Sequence, residues 1–174
     1  MVTARAPWSE AAAHWLAREV STGTPVLGVC YGHQLLAHAC GGLVGALPAG
    51  REIGTRPVQL APGARNDRLL AALPDRFPAH LTHQESVIRL PPAATWLGRS
   101  QLDPNQIFRI GQHAWGVQFH PEFDEAVMRG YLEGRTDTLQ REGLDVTALL
   151  QAVQHTPAPT RLIRRFGELV LEDR

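Results

Sequence analysis

Pro25-Val26-Leu27-Gly28-Val29-Cys30-Tyr31-Gly32-His33-Gln34 is the stretch whose reading decides the fold. Residues 25–29 read as a short buried strand, and a helix opens at about His33 with Gln34-Leu35-Leu36-Ala37. Between them Gly28 and Gly32 bracket Cys30 in a Gly-x-Cys-x-Gly turn. A nucleophile on such an elbow sits on a strained turn, its tip raised above the sheet and facing the next helix N-terminus. Small flanking residues suit a chain that nearly doubles back. A helix N-terminus favours negative charge, which suits a thiolate. Cys30 is therefore the candidate nucleophile, and the rest of the chain has to supply its base.

Upstream, Pro7-Trp8-Ser9-Glu10 introduces a helix through about Val20, with Ala12, Trp15, Leu16 and Val20 at helical spacing for packing on a sheet. Helix, strand, elbow, helix is the order of a partly parallel α/β sheet flanked by helices. Downstream, strands are expected at 43–47 and 55–60, and a short helix at 67–73 capped by Asn66. Residues 78–119 read as β-rich, ending in an antiparallel pair, 106–110 and 114–119, that turns at Gly111-Gln112. The remainder reads as helical, with Asp124 and Asp145 as caps and a last helix at 160–168.

Composition sets the bounds. The 174 residues are 44% hydrophobic and 20% charged, and Lys+Arg and Asp+Glu are both 17, so no excess charge draws the chain to nucleic acid or an anionic membrane. No apolar run reaches transmembrane length, and the first residues lack the layout of a signal peptide. Cys30 and Cys40 make no disulfide framework, and a reducing cytoplasm is the expected setting. The eight histidines are scattered and no metal-ligand spacing occurs, so neither metal nor cofactor is expected.

The second dense motif is Gly116-Val117-Gln118-Phe119-His120-Pro121-Glu122. A strand delivers His120 at its end, and residues two apart in extended chain share a face, which brings Glu122 beside the imidazole. A carboxylate there fixes the tautomer and stabilises imidazolium while the other ring nitrogen serves the thiol. Taken singly, a cysteine after an apolar strand is more often a small core residue, and His-Pro-Glu is more often a turn. Together, in this order, they make Cys30, His120 and Glu122 a nucleophile–base–orienter triad. His33 and His38 read as packing or surface residues and Cys40 as a buried helix end. Trp8, Trp15, Trp96 and Trp115 read as core or half-buried anchors, and His83 is left open between lining the site and not.

The two motifs, with Arg51-Glu52-Ile53-Gly54 and Thr82-His83-Gln84-Glu85-Ser86-Val87 between them, resemble the class I, triad-type glutamine amidotransferases. Among these the chain is most similar to free-standing proteins related to the glutaminase domain of GMP synthetase. The resemblance implies a flavodoxin-like fold and hydrolysis of the glutamine side-chain amide through a Cys30 thioester. It assigns the Tyr31 backbone N–H to the oxyanion hole, Gln34 to substrate binding, and the backbone at Gln84 and Glu85 to the amino-acid end of glutamine. It also implies βα units before Met1 and a glycine-containing loop, resembled at its end by Met1-Val2-Thr3, that supplies a second oxyanion donor. An N-terminally shortened domain is thus expected, from a misassigned start, a fragment or a deletion. Residues 1–135 would be the amidotransferase-like domain and 136–174 a helical extension packed on it. The implied partners are L-glutamine or a γ-glutamyl amide, with a separate ammonia-accepting synthetase subunit. A γ-glutamyl hydrolase with the same triad and a binding-only relative stand as alternatives.

Overall fold

The computed structural model describes residues 1–172. Helix α1 (Pro7–Ser21) leads into strand β1 (Val26–Val29), and α2 (Tyr31–Ala39) follows directly. Then come β2 (Leu43–Ala46), β3 (Glu52–Leu60), β4 (Arg76–His83), β5 (Glu85–Arg89), β6 (Ala94–Arg99), β7 (Ile107–Ile110) and β8 (Ala114–Val117). Four helices close the chain: α3 (Glu125–Glu133), α4 (Thr136–Arg141), α5 (Val146–Gln151) and α6 (Pro157–Glu172). Six strands form a mixed sheet in the order β1-β8-β7-β6-β3-β4, and β2 pairs with β5 in a separate ribbon. Among the described residues only β1 and β8 pair in parallel, Val26 opposite Ala114 and Val29 opposite Val117. That pair delivers both motifs to one edge of the sheet.

Side-chain alternation along the strands builds a core on each face. Ile107, Trp115 and Val117 join Leu162 and Leu169 of α6 on one side, while Phe108, Ile110 and Ala114 meet Leu36 and Ala37 of α2 on the other. A period of two along each strand is what lets one sheet serve both layers. A further cluster gathers Met128, Leu132, Leu139 and Leu149 from α3, α4 and α5 around Ile53. Asp124 caps α3 by accepting the Val127 N–H at 2.8 Å, and Asp145 caps α5 through the Ala148 N–H at 3.0 Å, the local reason those helices begin where they do.

Several expectations need correction. Helix α2 starts at Tyr31, with Cys30 itself in the cap position, because Gly32 is already helical and not part of the turn. Strand β3 starts at Glu52 and α6 runs from Pro157 to Glu172, both longer than expected. No helix forms over 67–73; a 3₁₀ turn covers Pro62–Asn66. There Asp67 is buried and its carboxylate accepts Leu69 N–H, Leu70 N–H, Trp115 Nε1–H and Arg109 Nη1–H, so tertiary bonds claim the residue that would have started the helix. Trp115 is the buried tryptophan. Trp8 and Trp15 are 64% and 52% exposed, because α1 packs through Ala12, Ala13 and Leu16.

Candidate active site

Cys30 sits at the carboxyl end of β1 with φ 48° and ψ −100°, a region that L side chains rarely adopt. Its N–H bonds Val117 O at 2.9 Å and its carbonyl accepts Gln34 N–H at 3.1 Å, so the sheet and the helix together hold the strain. The two bracketing glycines are not equivalent. A Cβ at Gly28 would lie 2.5 Å from Gly32 O, whereas one at Gly32 meets nothing within 4 Å. Gly28 stands opposite Gly116 in the ladder, where a Cβ would lie 2.7 Å from His33 Nδ1. The glycine that matters alongside Gly28 is thus Gly116, and the pair lets α2 approach the sheet closely.

His120 follows three residues after β8, its N–H bonded to His80 O at 2.9 Å. Its Nδ1 donates to Glu122 Oε1 at 2.7 Å. Its Nε2 is buried without a well-formed hydrogen bond and faces the Cys30 thiol. Burial works against the imidazolium, but Cys30 and Glu122 outweigh it and raise the pKa to about 9. Phe123 stacks on the ring at 4.2 Å, so the imidazole is fixed on its face as well as at its edge. His33, below the elbow, goes the other way: burial lowers its pKa to about 4, against Asp103 and the Gly116 backbone, and the ring packs on Phe108 as a neutral core residue. His38 pairs with Glu10 at 3.1 Å, away from the chemistry.

A cleft of about 240 Å³ opens beside Cys30. Tyr31 and Gln34 form one wall, Thr82–Glu85 the second, and Arg51, Tyr131 and Arg135 the third, with Met1 at the rim. The Tyr31 N–H, first in α2, has no backbone acceptor among the described residues, as helix geometry dictates. Gln34 is buried: its Nε2 donates to Glu85 O at 2.6 Å and to Gln118 Oε1 at 3.0 Å, locking α2 to the β4–β5 turn. Gln84 O accepts Leu47 N–H at 2.8 Å, so both expected recognition carbonyls, at Gln84 and Glu85, already hold one protein donor each. The Glu85 carboxylate takes the Thr3 N–H and hydroxyl, which seats the first residues against the cleft. The Tyr31 hydroxyl donates to Ser9 at 2.7 Å and its ring stacks with Trp8.

Sequence reasoning missed two features. The first is a buried cluster in which His83 Nε2 lies 3.3 Å from Asp103 and 3.5 Å from Glu52. The three ligand atoms lie within 4.8 Å of one another, a spacing that would admit a cation. Ser100 Oγ–H and Gln106 Nε2–H already point at Glu52 Oε2, at 2.8 and 2.9 Å, which fits a hydrogen-bonded charge network better than a ligand cage. Burial raises the Glu52 pKa, while at Asp103 the bonds from His83 and Ser86 overcome burial and lower it. The only signal in the chain was the Glu-x-Gly and Thr-His segments themselves, for Asp103 comes from an unremarked loop. The second feature is the third wall: Arg51 donates from Nε and Nη2 to the Glu142 carboxylate at 2.7 and 2.9 Å, and Gln84 Nε2 joins it at 3.0 Å. No local pattern links residues 51, 84 and 142.

Comparison with known proteins follows the same outline. The family model of class-I glutamine amidotransferases matches residues 7–133. Gamma-glutamyl peptidase 3 of Arabidopsis thaliana is 34% identical over 108 residues, covering 59% of this chain and 43% of that protein. The glutamine-hydrolyzing GMP synthase of Aeropyrum pernix is 41% identical over 100 residues, covering 58% of this chain and 19% of the synthase. The chain thus matches less than half the length of these relatives. A glutamine amidotransferase from Thermotoga maritima superposes with a TM-score of 0.81 at 27% identity, over 97% of this chain and 71% of that one.

Proposed function

The chain belongs to the class-I glutamine amidotransferase family, and from that premise we propose that it hydrolyses the side-chain amide of L-glutamine through a Cys30 thioester. The observation that carries the reading is that Glu122 occupies His120 Nδ1 while the buried, unbonded Nε2 faces the strained Cys30. His120, beside Sγ and with its pKa raised to about 9 by Cys30 and Glu122 against burial, is the base that takes the thiol proton as the nucleophile forms. Sγ attacks the amide carbon, and the oxyanion forms against the Tyr31 N–H at the head of α2. The imidazolium gives its proton to the departing nitrogen as ammonia leaves. Water, deprotonated by His120, then cleaves the thioester to glutamate and returns the proton to sulfur. Glu122 holds the tautomer throughout. Gln34 and the 84–85 backbone receive the substrate.

Residues 1–135 serve as the amidotransferase-like domain and 136–174 as an extension packed on it, a reading supported by the cluster that Leu139 and Leu149 share with Ile53 and Met128. A synthetase carried on a separate subunit would take the ammonia, a reading prompted by glutamine-hydrolyzing GMP synthase relatives of which this chain covers 19%. Two free thiols suit a reducing compartment. No helix among the described residues is long and apolar enough to cross a membrane. A second reading, hydrolysis of other γ-glutamyl amides by the same triad, is favoured by the peptidase relatives.

The test is ammonia release from glutamine and covalent labelling by a glutamine chloroketone, with wild type and Cys30→Ala. Cys30→Ala is expected to abolish labelling and lower turnover by about 10³-fold or more. Equal, negligible turnover and no labelling in both defeat the catalytic reading. Faster release from γ-glutamyl peptides than from glutamine selects the second.

A further inference from the structure

Two arginines border the cleft, and they differ in what holds them. Arg51 is matched by the bidentate Glu142 carboxylate. Arg135 has no carboxylate partner among the described residues; its guanidinium lies 4.4 Å over the Tyr131 ring. Contact through the flat face leaves the N–H edge free, and that edge has the fork geometry that takes a carboxylate by two parallel bonds. Glu85, which lines the cleft, is held by Thr3, and Glu142 is held by the cleft residues Arg51 and Gln84. Arg135 is thus the unmatched charge of the cleft.

Its place is also set relative to the reacting atoms. Tyr131 packs on Phe123 at 6.3 Å, and Phe123 stacks on His120 at 4.2 Å. Guanidinium and imidazole are the two ends of one aromatic column along the start of the C-terminal helices. Arg135 lies just outside the residues matched by the family model, so the family pattern does not assign it.

We propose that Arg135 is the recognition point for the α-carboxylate of the substrate, so that the cleft selects γ-glutamyl compounds whose amino-acid end is unblocked. The inference rests on the glutamine reading above for the identity of the substrate. Cys30 grips one end of the ligand and Arg135 the other, which makes the arginine a specificity residue and not part of the bond-breaking machinery.

Binding to the Cys30→Ala protein tests it without turnover. Calorimetry compares L-glutamine with its α-amide, which has the same side chain and no carboxylate, in Cys30→Ala alone and with Arg135→Gln or Arg135→Lys added. Arg135→Gln is expected to weaken glutamine about tenfold, the scale of one charge-assisted pair at a half-open site, and to leave the α-amide within about twofold. Arg135→Lys should recover part of the loss. Equal effects on both ligands, or none on either, overturn the proposal, as does failure of the Cys30→Ala protein to bind either one. If glutamine binding depends on Arg135 but wild type releases no ammonia, the amidotransferase reading falls and this one stands. If wild type turns over glutamine and Arg135→Gln binds it unchanged, only this one falls.

Discussion

Two histidine–carboxylate clusters lie within the same fold, and their difference is instructive. His120 holds Glu122 on one nitrogen and turns the other, unbonded, to Cys30 beside an open cleft. His83 sits between Glu52 and Asp103 with every side chain sealed from solvent, and Ser100, Gln106 and the Asn105 N–H complete the carboxylates. The residue types are nearly the same. What separates a reacting group from a structural one is a nucleophile on the second nitrogen and room for a substrate. A buried charge network matters instead through what its loss exposes: a partner left charged in a medium that cannot solvate it.

This contrast can be broken in order of effect. Asp103→Ala leaves the buried His83 without its nearer carboxylate partner, 3.3 Å away, and should cost about 3–5 kcal/mol in urea unfolding. Retained wild-type stability would reduce the cluster to incidental contact. Glu122→Gln comes next. Its carboxylate favours imidazolium, so its removal should move the His120 pKa down from about 9 towards its ordinary value near 6.5, read by imidazole NMR titration. Turnover should fall by up to about 10²- to 10⁴-fold, the ordinary share of a general acid–base group whose orientation Glu122 sets. The sign carries over to stability: the His120 contribution is full below pH 6.5 and is lost as pH rises through 9, and the variant should lose it earlier. Ser100→Ala is the mildest. Loss of one donor to Glu52 should cost about 1–2 kcal/mol and leave turnover within about twofold, since Ser100 does not line the cleft. A large rate loss there would merge the two clusters into one functional unit.

Much of this was legible along the chain. The strand, the elbow and the helix were encoded by local order: apolar residues 26–29, the glycine bracket, then helix formers from Gln34. The caps Asp124 and Asp145 could be read because capping is a local bond. The elbow helix start was misread by two residues, because Gly32 looks like turn punctuation while its helical φ/ψ leaves no trace in the sequence. The expected 67–73 helix failed for a different reason: Asp67 is engaged by Trp115 and Arg109, 48 and 42 residues away. The faces of α1 were also beyond local reading, since helical spacing is the same for a tryptophan that packs and one that does not.

The sequence by itself determined the chemistry on offer: a cysteine on a glycine-bracketed turn, and a histidine two residues from a glutamate at the end of a strand. Those are contacts between neighbours in the chain, governed by backbone geometry. Only the tertiary structure decided which groups share a surface. The parallel pairing of β1 with β8 brings Cys30 to His120 across ninety residues, at an entropy cost that local signals cannot reveal. Close approach decided that Gly116 and not Gly32 is the glycine that α2 requires. Surroundings assembled in three dimensions decided that burial lowers His33 to about 4, where the ring packs on Phe108, while Cys30 and Glu122 outweigh burial at His120 and raise it to about 9.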